Sequence, residues 1–200
     1  REDVKNIYGC AKQNNVKFMV AHVIRFWREY EFVKKVYDTN KYGKLLSGSM
    51  SRLSAFPNWS WDNWMRDEKR SGLVPFDLHI HDLDYLVYAF GKPKNVTSYR
   101  SKLPDQDYVN VTYDFGDFFI NTEASWYAAP YVFKAGFRFQ FENALIENTQ
   151  QGFKVYERSG KVIDLNNESC DDTGDINLPK SDAYAEEIKY FTDCVKNNLE

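Results

Sequence analysis

The residues best suited to chemistry lie together in Phe76-Asp77-Leu78-His79-Ile80-His81-Asp82-Leu83-Asp84-Tyr85. Read as a helix at about 100° per residue, this run puts Ile80, Leu83, Val87 and Phe90 on one stripe and Asp77, His81, Asp84 and Tyr88 on a second. The apolar stripe belongs against a core, and the polar one is free to face a pocket. Asp77 and His81 are then one turn apart, close enough for the carboxylate to hold the imidazole in one tautomer and raise its basicity. A general base needs that pairing, with His81 taking the proton and Asp77 orienting it. A plainer reading stands beside it: an Asp in a first turn suits the helix dipole, and a His one turn later is often a boundary residue. His79 and Asp82 project to other faces and read as structural or solvated.

Other chemistries find less support. The three histidines, His22, His79 and His81, are not at metalloprotease spacing, and the three cysteines include no Cys-x-x-Cys, so no metal site or disulfide framework is expected. No two of the ten glycines are separated by a single residue, and none precedes Lys-Ser or Lys-Thr, so the chain holds no Gly-rich phosphate cradle. Lys and Arg number 26 against 29 Asp and Glu, with no dense basic run, which argues against nucleic acid as a partner. No apolar stretch is long enough to span a membrane and no leader pattern opens the chain, so a cytoplasmic location is expected. Two hundred residues predict one domain, and the start at Arg1 without Met reads as excision from something longer.

The elements that must position these residues follow from period. Val4, Ile7, Tyr8 and Ala11 predict a short amphipathic helix over 2–14. The continuous apolar run 17–24 predicts a strand buried on both faces, and with a helix over 29–38 and a strand over 45–53 it makes one βαβ-like unit. Residues 55–72, with Trp59, Trp61 and Trp64, read as a long ordered loop, and 77–90 as a helix ended by Gly91-Lys92-Pro93. From 95 to 163 the chain alternates as a meander of antiparallel strands, with hairpin turns at Asp114-Phe115-Gly116-Asp117 and Ser159-Gly160-Lys161. The alternation implies one covered and one open sheet face, the open one lined by Trp126, Tyr131, Phe137 and Phe139. A polar loop over 166–180 precedes a last helix with Ile188, Phe191 and Val195 as its apolar stripe. The fold class is α+β, an open, mainly antiparallel sheet with helices on one face. Arg25, at the exit of the first strand, can bond substrate or form a structural ion pair. Trp61 and Asp62 have the chemistry to meet a sugar's apolar face and hydroxyls, although a loop Trp is more often packing.

The runs Val20-Ala21-His22-Val23-Ile24-Arg25-Phe26, Lys41-Tyr42-Gly43-Lys44-Leu45, Ser71-Gly72, Asp77 to Asp84, Phe90-Gly91-Lys92-Pro93 and Val96, in this order, resemble the C-terminal domain of the glucose-fructose oxidoreductase and inositol dehydrogenase family, Gfo/Idh/MocA. The likeness covers most of residues 1–100 and extends more loosely through Phe141-Glu142-Asn143-Ala144-Leu145-Ile146-Glu147 and the final helix. It implies a dihydrodipicolinate-reductase-like open-sheet domain, here spanning 1–200, that closes the substrate pocket of a two-domain enzyme. The other domain, a Rossmann fold binding NAD or NADP, would precede this chain with a Glu-Lys-Pro lysine at its end. Asp77 and His81 match the family's Asp-x-x-x-His motif. The implied reaction is oxidation of a sugar or polyol hydroxyl, His81 taking the proton as a hydride goes to the nicotinamide, with self-association through the open sheet face. The resemblance equally admits a redox-cycling glycosidase or dehydratase, and a module that binds and assembles without chemistry is a third reading. Where the family commonly shows two adjacent glycines, this chain has Gly72-Leu73, so a different local turn is expected.

Overall fold

Alternation at period two builds the larger part of the molecule. The computed structural model describes residues 2–166 and 182–199. One eight-stranded sheet contains β1 (Leu45–Ala55), β2 (Asn95–Leu103), β3 (Gln106–Asp114), β4 (Phe119–Tyr127), β5 (Lys134–Phe141), β6 (Ala144–Thr149), β7 (Gly152–Glu157) and β8 (Val162–Asp164). Their spatial order is β2-β3-β4-β1-β5-β6-β7-β8. All neighbours are antiparallel except β1 and β4, so β1 splits the expected meander and makes the sheet mixed.

Register decides the two faces. Phe137 pairs with Met50 and Phe139 with Gly48, and these side chains, with Ile120 and Trp126, are buried beneath the helices and loops. Gly48 has no side chain for a packing reason: a Cβ there would lie 2.6 Å from the Phe139 ring. The opposite face carries Ser47, Ser49, Ser51, Asn121, Glu123 and Arg138. The expected aromatic open face is therefore wrong. Trp126, Phe137 and Phe139 occupy the covered side, and Tyr131 follows β4 in a loop, its ring against Tyr127.

Two helices cover the centre of the sheet. α2 (Arg28–Asp38) buries Tyr30, Val33 and Val36 at helical spacing. Its Tyr30 ring lies edge-on to Tyr85, whose hydroxyl donates to the Tyr30 carbonyl at 2.8 Å. Tyr85 belongs to α4 (Ile80–Phe90), which buries Asp82, Tyr85, Leu86 and Ala89. The expected apolar stripe is thus rotated, with Val87 exposed and Leu83 and Phe90 only partly buried. A buried Arg52 on β1 draws Asp82 inward and sets that phase.

The strand expected at 17–24 is absent. After α1 (Glu2–Gln13) the chain is irregular until a 3₁₀ turn at Val23–Phe26, and no βαβ unit forms, because the parallel partner of β1 is β4. The residue types favour a strand, yet a strand needs a paired neighbour, and no described strand pairs with this run. Val16, Phe18 and Val20 are exposed, as are Val4, Ile7 and Tyr8 of α1. Residues 61–71 hold short turns within the loop: 3₁₀ turns over Trp61–Arg66, kinked at Asp62 and Asn63 where φ is positive, lead into α3 (Glu68–Ser71). Trp64 packs on a satellite core with Phe56, Met65 and Trp126, whereas Trp59 and Trp61 lie open. The last helix, α5 (Ala183–Lys196), turns Ala183, Glu187 and Cys194 inward and leaves Ile188 and Val195 exposed, the reverse of the expected stripe. Residues 167–181, most of the expected polar loop and the expected start of that helix, lie outside the described residues. No helix among the described residues is long and apolar enough to cross a membrane.

Candidate active site around His81

Four elements bring charged and titratable groups to one place. The stretch around the 3₁₀ turn Val23–Phe26 supplies His22 and Arg25, α4 supplies His81, Asp82 and Asp84, β1 supplies Arg52, and α5 supplies Glu187. Arg25 donates to both Asp84 oxygens, from Nε at 2.7 Å and Nη2 at 2.5 Å, and its guanidinium lies over Tyr88. The polar stripe His81, Asp84, Tyr88 therefore does share a face. Arg25 forms an ion pair with Asp84 and keeps part of its side chain exposed.

Among the described residues His81 makes no hydrogen bond. Its Nδ1 is buried without a partner, whereas Nε2 is not sealed. The His22 ring lies edge-on to it, centroids 6.1 Å apart at 82°. Burial, Arg52 and His22 push the His81 imidazole down to about 4, outweighing the carboxylates of Asp82 and Asp84. At neutral pH the ring is an uncharged base with one accessible nitrogen.

Asp77 does not join it. The segment Val74–Leu78 is a π turn, wider than α-helix, and α4 begins only at Ile80, so a four-residue spacing no longer maps onto one ridge. No hydrogen bond links Asp77 and His81, and Asp77 is not among the groups acting on the imidazole. Its half-buried carboxyl is pushed up by desolvation alone. The expected Asp77–His81 hydrogen bond is absent because the helix starts later than periodicity suggests. Gly72 and Leu73 both have positive φ, 74° and 57°, so the Leu at the second position does not spare the chain a turn that favours glycine.

Asp107 anchors that turn. Fully buried on β3, it accepts from Arg100 Nε and Nη2, both at 2.8 Å, and from the Val74 backbone N–H at 3.1 Å. Asp107→Ala is expected to cost about 2–3 kcal/mol by leaving the Val74 N–H unsatisfied and Arg100 with only its longer contact to Glu68 at 3.5 Å. Urea unfolding of the two proteins checks it, and a loss within about 0.5 kcal/mol would show that the anchor is dispensable.

The remaining candidates lie apart. Trp61 is 80% exposed. Asp62 has left-handed φ and pairs with Arg70 at 2.9 Å. No hydrogen bond, ion pair or ring contact among the described residues connects either with His81. His79 is structural as expected, its Nε2 3.1 Å from Tyr113 Oη and 3.3 Å from Thr122 Oγ1. Sequence reasoning missed Arg52, Asp107 and Glu187. The only signal for the first two was a charged residue at an inward position of an alternating strand; Glu187 had none, because the helix stripe was phased from its apolar residues. Among the described residues no group of three or more His, Cys, Asp and Glu is placed to hold a metal ion.

Comparison with known proteins agrees with this architecture. The 2,7-anhydro-N-acetylneuraminate hydratase of Escherichia coli K12 is 26% identical over 103 residues, covering 48% of this chain and 26% of that protein. An oxidoreductase of Agrobacterium radiobacter, solved with NAD+, L-tartaric acid and magnesium, superposes with a TM-score of 0.71 at 16% identity over 100% of this chain and 60% of its own. A levoglucosan dehydrogenase solved with NADH and L-sorbose gives 0.74 at 16% identity, over 97% and 60%. The chain thus spans about 60% of these solved structures, and its match covers about a quarter of the curated relative. The family model described as the GFO/IDH/MocA C-terminal domain matches residues 30–147, more than half of the chain, and the protein belongs to that family.

Proposed function

We propose that residues 1–200 form the substrate-side domain of a two-domain, cytoplasmic NAD(P)-dependent oxidoreductase acting on a sugar or polyol hydroxyl, with His81 as the general base. The observation that carries this reading is the His81 ring, neutral at physiological pH and sealed at Nδ1 while Nε2 stays accessible. An imidazole so placed takes a proton from a hydroxyl presented to Nε2. The described residues offer no phosphate cradle, so the cofactor's phosphates are assigned to a preceding domain. The exposed apolar residues of α1 and of 16–20 suit contact with such a domain. The nicotinamide, when bound, accepts the hydride, and the residues of this chain manage the proton. Asp77 remains the second catalytic candidate, acting on substrate rather than through His81. Trp61 and Asp62 remain candidates for the sugar, and the polar open face of the sheet is the surface for self-association.

The test is turnover of the full-length parent with sugars and inositols, followed by NAD(P)H absorbance. His81→Phe is expected to lower kcat about a hundredfold with cofactor affinity intact. An unchanged rate would defeat the assignment and favour a binding module. The hydratase among the relatives supports a second reading on the same scaffold, transient oxidation with return of the hydride. Product formed without net NAD(P)H would select it.

A further inference from the structure

The geometry points to a second binding site: an open cleft at the ends of β1 and β4 that takes an uncharged pyranose ring. It shares no residue with the group around His81 and does not rest on the base role proposed there. β1 and β4 run parallel, with Ala55 paired to Tyr127, so both strands end at the same edge of the sheet and the chain leaves them side by side. The Phe56 N–H donates to the Tyr127 carbonyl at 2.8 Å and the Ala55 N–H to the Tyr131 carbonyl at 2.9 Å, which pins residues 128–130 beside the exit of β1. Arg66, from the turns after β1, and Asp105, from the β2–β3 hairpin, complete the lining of a cavity of about 420 Å³.

The lining combines aromatic rings with a polar rim of no net charge. Phe56 packs on Trp126, centroids 5.2 Å apart, and the Arg66 guanidinium lies 4.8 Å from the centre of the Phe56 ring. That contact and the 2.6 Å bond from Arg66 Nη2 to Asp105 Oδ1 hold the guanidinium in place before any ligand arrives, so little ordering is left to pay on binding. Among the described residues, Arg66 Nε and Nη1, Asp105 Oδ2 and the Asn58 amide have no hydrogen-bond partner. The paired charges of Arg66 and Asp105 give neither an anion nor a cation an advantage, while the open atoms offer donors and acceptors together. A sugar hydroxyl uses both. The C–H faces of a pyranose suit the Tyr127 and Phe56 rings that line the cleft. Trp59, the next residue after Asn58, is 72% exposed and adds an aromatic face that packing does not use.

Titration of the ¹⁵N-labelled chain with the methyl pyranosides of glucose, galactose, mannose and xylose, followed by ¹H–¹⁵N correlation spectra, tests the cleft directly. At least one of the four is expected to give saturable shifts with a dissociation constant of about a millimolar to ten millimolar. The shifts should centre on the amides of residues 56–59, 66, 105 and 127–131 and on the Trp59 indole N–H. Arg66→Ala and Tyr127→Ala are each expected to weaken binding about tenfold, and the unchanged remainder of each spectrum reports that the fold is retained. Arg138→Ala, on the open sheet face, is expected to titrate as the wild type does. No saturable shift from any of the four sugars at about 100 mM overturns the proposal, as does undiminished binding by both cleft variants. Sodium gluconate binding more tightly than the glucoside would overturn the uncharged class. Shifts centred on residues 22–25 and 80–84 would place the sugar beside His81, which overturns the cleft and leaves the proposed function standing.

Discussion

Replacing Arg52 with Met is expected to destabilise the domain by about 3–5 kcal/mol, because it strands a carboxylate inside the protein. Arg52 is 3% exposed and Asp82 1%, and they meet through Nη2 and Oδ1 at 2.9 Å, with Nε 3.3 Å from both oxygens. Met matches the length of the Arg stem but leaves Asp82 with neither water nor a cation. The double variant Arg52→Met, Asp82→Leu removes both charges and is expected to recover most of the loss, since a buried pair adds little over a well-packed apolar pair. Urea unfolding at pH 7 of the wild type, each single variant and the double closes the cycle. A cost below about 1 kcal/mol for Arg52→Met would mean that water reaches Asp82 and that the pair is not sealed. The same variant bears on the site. Arg52 is a charge that depresses His81, so its removal is expected to raise the His81 titration midpoint.

The sheet was largely legible in the sequence because alternation is a local signal. Val109, Val111 and Tyr113 announce their face without reference to anything distant, and β3, β4 and β5 lie close to where the pattern puts them. What alternation does not carry is which strands are neighbours. The insertion of β1 between β4 and β5 placed Phe137 and Phe139 beneath α2 and α4, and that depends on long-range pairing. The helices failed in a different way. Apolar spacing locates α4 and α5 but misplaces their phase, because in each a buried acid turns the helix. Asp82 is drawn in by Arg52, and Glu187 is buried against the turn that holds His22 and Arg25. A helix rotates to bury a charge only when a partner waits across the core, and no single-segment pattern reveals that partner.

The site was legible to a similar degree. His81 stood out by residue type, and the stripe it shares with Asp84 and Tyr88 exists. Pairing Asp77 with it requires uniform helical geometry, which the π turn at Val74–Leu78 breaks. Pro75 and the left-handed pair Gly72-Leu73 were the local signs that the helix starts late. His22 was visible only as part of a resemblance, because the run around it had the composition of a buried strand.

The burial that keeps His81 neutral also makes the fold sensitive to acid. The His81 imidazole is pushed down to about 4 by burial first, then by Arg52 and His22, whereas in the unfolded chain it titrates near about 6.5. Between those values the unfolded chain binds a proton that the folded chain refuses, so stability is complete above about pH 6.5 and falls as the pH drops toward 4. The loss is on the order of 3 kcal/mol at the acid end of this window. His79, also lowered by burial, adds to it with the same sign. The carboxyls of Asp77 and Glu187 act oppositely: burial raises both, so the folded chain takes up their protons more readily and gains stability as the pH falls. Because Glu187 is also held down by His22 and Arg25, its offset is the smaller for being opposed. Urea unfolding of wild type and His81→Phe between pH 7 and pH 4.5 separates these contributions. The wild type is expected to weaken steadily over that range, and the variant, which keeps an aromatic ring but has no proton to gain, to weaken less. Parallel curves would show that the imidazole is hydrated in the folded protein, and would remove the basis for treating it as a neutral, desolvated base.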